Sequence, residues 1–121
     1  MKITTFNPKI VTKDAELLIR LFSELGFEKR HELEVSDGHS ITNYRMKDDS
    51  GNHVDITGLE STPCDLTTIR MNVDNFDEAY DLLAEKGFKQ ARDIIETRTN
   101  KTVMMVAPSG FVIDLCQHIK D

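Results

Sequence analysis

Residues 50–56 read SGNHVDI, and residues 109–115 read SGFVIDL. Each stretch runs Ser-Gly, three residues, Asp, then a branched aliphatic residue, so Asp55 and Asp114 stand 59 positions apart in equivalent settings. A Ser-Gly pair opening a run of apolar residues is a turn feeding a strand. A strand written twice, with a carboxylate at the same point in each copy, implies a duplicated unit.

The residues upstream carry the same duplication. Leu17, Leu18, Leu21, Phe22 and Leu25 recur at helical spacing, which predicts a helix with these five on its buried face. Thr12 or Asp14 caps its start, and Gly26 supplies the left-handed stop. Phe76, Ala79, Tyr80 and Leu83 form the stripe of a second helix that starts after Asn75 and stops at Gly87. Gly26-Phe27 and Gly87-Phe88 lie 61 residues apart, and an alternating strand precedes each helix. In the second copy Ile69, Met71 and Val73 point one way and Thr68, Arg70 and Asn72 the other. In the first, Pro8, Ile10 and Thr12 oppose Asn7, Lys9 and Val11, and Pro8 withholds one ladder donor.

Three strand-like stretches follow each helix. They cover roughly residues 28–35, 40–47 and 53–59 in the first half, and 91–97, 102–107 and 111–119 in the second. Turn-rich breaks separate them: Ser36-Asp37-Gly38, Asp48-Asp49-Ser50-Gly51, Arg98-Thr99-Asn100-Lys101 and Pro108-Ser109-Gly110. Each half therefore reads β-α-β-β-β, with module one at 1–60, a linker at about 60–65 and module two at 66–121. Two copies with a period near 60 do not make a solenoid, whose repeats are shorter and more numerous. The expected class is α+β, one domain over residues 1–121.

At 121 residues the chain is long enough to fold without a metal or disulfide, burying roughly two-thirds of its unfolded surface. A net charge of −6 argues against a nucleic-acid partner, whose affinity rests on Lys and Arg neutralising phosphates. No apolar run approaches the roughly 20 residues that span a bilayer, so no membrane association is expected. Cys64 and Cys116 match no metal-ligand spacing and no disulfide framework, which points to free thiols and a cytoplasmic location.

The stretches LFSELGFE (21–28), NVDNFDEAYDLLAEKGF (72–88) and APSGFVIDLCQ (107–117) together resemble the vicinal oxygen chelate superfamily of glyoxalases, bleomycin-resistance proteins and extradiol dioxygenases. The resemblance covers nearly the whole chain. It implies two βαβββ modules whose mixed sheet curls, barrel-like, around a cleft with helices on the outer face, and chains that pair as homodimers. Metal-dependent members draw four ligands, typically His, Gln or Glu, from the first and last strands of each module. Carried over, those positions are Asn7, Asp55, Thr68 and Asp114, and this sequence departs from the pattern at all four.

Two carboxylates, one amide and one hydroxyl make a poor zinc or nickel site, although Asn7 suits a harder cation such as manganese or magnesium. The strand alternation puts Lys9 and Arg70 on the same faces as the acidic positions. A buried carboxylate needs a countercharge. The expectation is that Lys9 and Arg70 supply it where relatives use an ion, so that Asn7, Lys9, Asp55, Thr68, Arg70 and Asp114 bind a small polar or anionic ligand and no cofactor is required. The alternative is a divalent-metal lyase, isomerase or dioxygenase in which Asp55 and Asp114 hold the ion. A third reading, a domain serving only dimer formation and protein contact, fits a charged cleft less well. His53 lies two residues before Asp55, and Cys116 and His118 lie two and four after Asp114; Cys116 reads as a small buried residue. His31 and His39 fall at strand edges or turns. Tyr44 and Met46, with Met104 and Val106, form either an apolar cleft wall or core beneath a helix.

Overall fold

The computed structural model describes residues 1–36 and 40–119, with side chains described for residues 1–30 and 42–119. The Ser36-Asp37-Gly38 turn is thus only partly covered, and His39 and the His31 side chain lie outside the described residues. Nine strands and two helices occur among the described residues, and the chain divides into two compact units: Asn7–Thr67, and Met1–Phe6 with Thr68–Asp121.

In the Asn7–Thr67 unit, strand β1 (Ile3–Thr12, shared with the other unit) is followed by helix α1 (Ala15–Glu24), β2 (Glu28–Ser36), β3 (Ser40–Lys47) and β4 (His53–Leu59), in the sheet order β2-β3-β4-β1. β1 runs parallel to β4 with Lys9 opposite Asp55, and β3 runs antiparallel to β4 with Arg45 opposite the same residue. The turn between β3 and β4 closes on Asp48, whose carboxylate accepts bonds from the Ser50 and Asn52 backbone and from the Asn52 amide. The Asn52 amide, above all, holds the Asp48 carboxyl below its ordinary range. Met46, Val54 and Ile56 form the core of this unit, packed by Ile10, Ala15, Leu18, Ile19, Phe22, Phe27 and Tyr44. Tyr44 and Met46 are therefore core beneath the helix rather than cleft wall.

The orientation of α1 corrects the sequence expectation. Asp14 caps the helix by accepting from the Leu17 backbone, as anticipated, but Leu17, Leu21 and Leu25 are 53%, 45% and 62% exposed. The packed face is that of Ala15, Leu18, Ile19 and Phe22. Gly58 on β4 is the local reason: a β-carbon there would come within 3.3 Å of the Ala15 β-carbon, so its absence lets the first turn of the helix lie close to the sheet. Ala15 thus lies on the packed side of the helix, and the leucine row faces outward.

In the other unit, β5 (Leu66–Val73), α2 (Phe76–Glu85), β6 (Lys89–Gln90), β7 (Ile95–Glu96), β8 (Asn100–Val106) and β9 (Val112–His118) give the order β5-β9-β8-β6, with β7 also on β8. The predicted stripe on α2 holds: Phe76, Ala79 and Leu83 are buried with Met71, Val73, Val103, Met105, Ile113 and Leu115, and Tyr80 packs against them. Asn75 caps this helix through the Glu78 backbone. Gln117 on β9 reinforces the start: its side-chain oxygen accepts from the Phe76 backbone at 2.7 Å, and its amide donates to the Asp74 carbonyl. The strand expected over residues 91–97 forms only as β7, with residues 91–94 outside any strand, and β6 lies before the expected range. Every side chain from Lys89 to Glu96 is exposed, so no alternating apolar set rewards a continuous ladder.

Candidate functional site

The six expected ligand-binding residues fall into two sets, one in each unit. Each set lies on the sheet face opposite its helix, because strand alternation sends Ile10, Val54 and Ile56 to one side and Lys9, His53, Asp55 and Thr57 to the other.

In the Asn7–Thr67 unit, Asp55 is 4% exposed and Asn7 3%. The Asn7 amide donates to Asp55 Oδ2 at 3.0 Å and to the Pro8 carbonyl at 2.9 Å. Arg45 Nε donates to Asp55 Oδ1 at 3.1 Å, an ion pair. Both carboxylate oxygens are therefore engaged, one by an amide and one by a cation, which meets the cost of burying the charge. Farther along β4, Thr57 donates to Asn43 Oδ1 at 2.7 Å.

Arg45 carried no weight in the sequence reading, yet a signal existed. Arg45 and Asp55 are equidistant from Ser50, the centre of the β3–β4 turn, so a symmetric hairpin must oppose them. Alternation along β1 points to Lys9, and the neighbouring hairpin strand supplies a second cation in Arg45.

Two buried acceptors in this unit, Asn7 Oδ1 and His53 Nε2, have no hydrogen-bond partner among the described residues. Burial pushes the His53 imidazole below the ordinary histidine range; the Asp55 charge and the Gly51 backbone pull it up, while Arg45 and Lys47 push it further down. A neutral imidazole keeps one nitrogen lone pair, so this face offers two acceptors to an incoming donor.

In the other unit, Asp114 is 3% exposed, and its Oδ1 accepts from the Thr102 hydroxyl at 3.0 Å. The same hydroxyl lies 3.3 Å from Cys116 Sγ, which also approaches the Asp114 carbonyl at 3.7 Å. Arg70 is the register partner of Asp114 on β5, and Thr68 is buried two residues before it. Cys116 is buried, as expected, and Cys64 is exposed; both are free. Met104 is the antiparallel partner of Asp114, just as Arg45 is of Asp55. The duplicated carboxylates thus have unlike hairpin partners, Arg45 in one copy and Met104 in the other, while their parallel partners, Lys9 and Arg70, are both cationic. Met104 and Val106 alternate with the core residues Val103 and Met105, so they lie on the Asp114 face.

Among the described residues no group of three or more His, Cys, Asp or Glu is assembled, and no helix is long and apolar enough to cross a membrane.

No protein-family profile matches the sequence, and no curated protein matches it. Solved structures do. Methylmalonyl-CoA epimerase from Mycobacterium tuberculosis superposes with a TM-score of 0.72 at 14% identity, over 98% of this chain and 90% of that one. Glyoxalase I from Zea mays gives 0.70 at 19% identity, over 98% of this chain and 44% of the maize protein. A glyoxalase/bleomycin resistance protein/dioxygenase superfamily member from Vibrio splendidus 12B01 gives 0.64 at 20% identity, over 98% and 100%. The fold is that of the vicinal oxygen chelate proteins.

Proposed function

We propose that this chain binds a small polar or anionic molecule on a buried polar face, that of Asn7, Lys9 and Asp55 in one unit or that of Thr68, Arg70 and Asp114 in the other, without a divalent metal. The observation that carries the reading is the pair of buried acceptors, Asn7 Oδ1 and His53 Nε2, beside a carboxylate whose oxygens are already bonded. Buried acceptors without partners cost free energy that a ligand donor recovers.

The donor set also speaks to the metal. An ion at Asp55 would share oxygens that already accept from the Asn7 amide and the Arg45 guanidinium, and it would sit against a fixed positive charge. These residues do not fit a divalent cation. Lys9 and Arg70, the register partners of Asp55 and Asp114, suit an anionic group on the ligand. The same reading has the protein in a reducing cytoplasm with free thiols, acting as a homodimer.

Thermal-shift screening of small carboxylates, thiol conjugates and aromatic compounds, in chelator-treated buffer, tests the proposal. A compound that raises Tm is expected to lose its effect in His53→Phe, which removes the Nε2 acceptor and leaves both Asp55 bonds in place. Stoichiometric, tight binding of manganese, nickel or zinc in a parallel titration would overturn the metal-free reading.

A further inference from the structure

The leucine row that α1 turns away from its own sheet is the least explained apolar feature of the molecule. Leu17, Leu21 and Leu25 recur every fourth residue along the outer side of one helix, and all three are about half exposed or more. Scattered exposed leucines are ordinary, but a contiguous helical row is the signature of a face that something covers. Leu17 and Leu21 share a surface groove with Arg20, Ser23 and Glu24.

The charges beside the row select the occupant. On the helical wheel Arg20 and Glu24 both flank the leucines on the same side, away from the packed face of Ala15, Leu18, Ile19 and Phe22. A second copy of the helix, brought up antiparallel about a twofold axis perpendicular to it, presents its own flank on that same side with the order of charges reversed. Arg20 then meets Glu24 of the other copy, and Glu24 meets its Arg20, while Leu21 sits on the axis and Leu17 meets the opposite Leu25. A parallel pairing puts the two flanks on opposite sides and makes neither contact. The face is therefore self-complementary in one orientation, as a twofold interface requires. An anionic membrane fits poorly, because Glu16 and Glu24 offset Lys13 and Arg20 around the helix.

We propose that two copies of this chain associate through their first helices, antiparallel, with Leu17, Leu21 and Leu25 packed against their counterparts and Arg20–Glu24 ion pairs closing one edge. This rests on the homodimer reading above and assigns it a surface. Three leucines per copy make a contact smaller than a standard stable interface, so the association is weak and concentration-dependent.

Sedimentation equilibrium on the full chain, from about 1 to several hundred µM, tests it. The unaltered chain is expected to pass from monomer to dimer across that range. Leu21→Glu is expected to weaken the dimer roughly a hundredfold by burying two charges on the axis. It should leave Tm at low concentration unchanged, since the side chain lies outside the core. Arg20→Glu and Glu24→Arg are each expected to weaken it roughly tenfold, and the double reversal to restore it. A monomer at every concentration overturns dimer and surface together. A dimer indifferent to Leu21→Glu overturns this surface and leaves the homodimer reading standing. A double reversal that fails to recover overturns the antiparallel arrangement.

Discussion

Arg45 Nε lies 3.1 Å from Asp55 Oδ1, and the two side chains differ in exposure, 29% for the arginine and 5% for the aspartate. The pair joins adjacent antiparallel strands at a single register position. Its charge sits on β3, across β4 from the first-strand lysine that the repeat pattern singled out. Because the aspartate is the buried partner, losing the arginine removes a cation from a buried charge, whereas losing the aspartate leaves an arginine that can turn to water.

Replacing Arg45 by Met is accordingly expected to cost about 3 kcal/mol, the low end for breaking a buried pair because the guanidinium keeps some solvent access. Asp55→Asn should cost less, and Arg45→Met combined with Asp55→Asn should recover part of the Arg45 loss. Urea denaturation of the four proteins checks this; additive losses would show that the pair contributes no coupling.

The equivalent carboxylate accepts a bond from a hydroxyl. Thr102→Val removes the donor to Asp114 Oδ1 at nearly constant volume and is expected to destabilise by about 1–2 kcal/mol, while Thr102→Ser should be close to neutral. Chemical denaturation separates the two, and equal effects from both would assign the loss to packing.

His53 makes stability depend on pH in a definite direction. Its folded value is depressed below the ordinary 6.5, chiefly by burial, so at mildly acid pH the unfolded chain binds a proton that the folded chain does not. The histidine's contribution is fully present above about 6.5, falls as pH drops from there toward the folded value, and is flat below it. His53→Gln is expected to remove this component, so that the difference in Tm between pH 7.5 and pH 5 shrinks. An unchanged difference would assign the acid sensitivity to other groups.

The helix-stop glycines of the two copies are not equivalent. Gly26 adopts φ 102° with nothing within 4 Å of where a β-carbon would lie, whereas Gly87, at φ 95°, would put one 3.1 Å from Pro108 Cγ. Gly26→Ala is expected to cost about 1 kcal/mol, the left-handed penalty alone, and Gly87→Ala about 2 kcal/mol because contact is added to it. Denaturant midpoints at matched slope measure both; equal costs would mean that the proline yields freely.

The local content of this protein was readable from its residues. The Ser-Gly turns, the glycine stops, the Asn75 cap and the alternation around Asp55 and Asp114 all act within one or two turns of chain, and the duplication let each copy check the other. What lay beyond reach depended on how elements meet. The face that α1 turns to the sheet includes Ala15, close against Gly58, and the leucine spacing by itself does not point to it. The partner of Asp55 follows from hairpin register, and the breakup of residues 89–96 from the absence of a core to pack against. Hydrophobic periodicity states that an element has an inner side; only packing against its neighbours selects which side that is, because the deciding contacts join residues far apart in the chain.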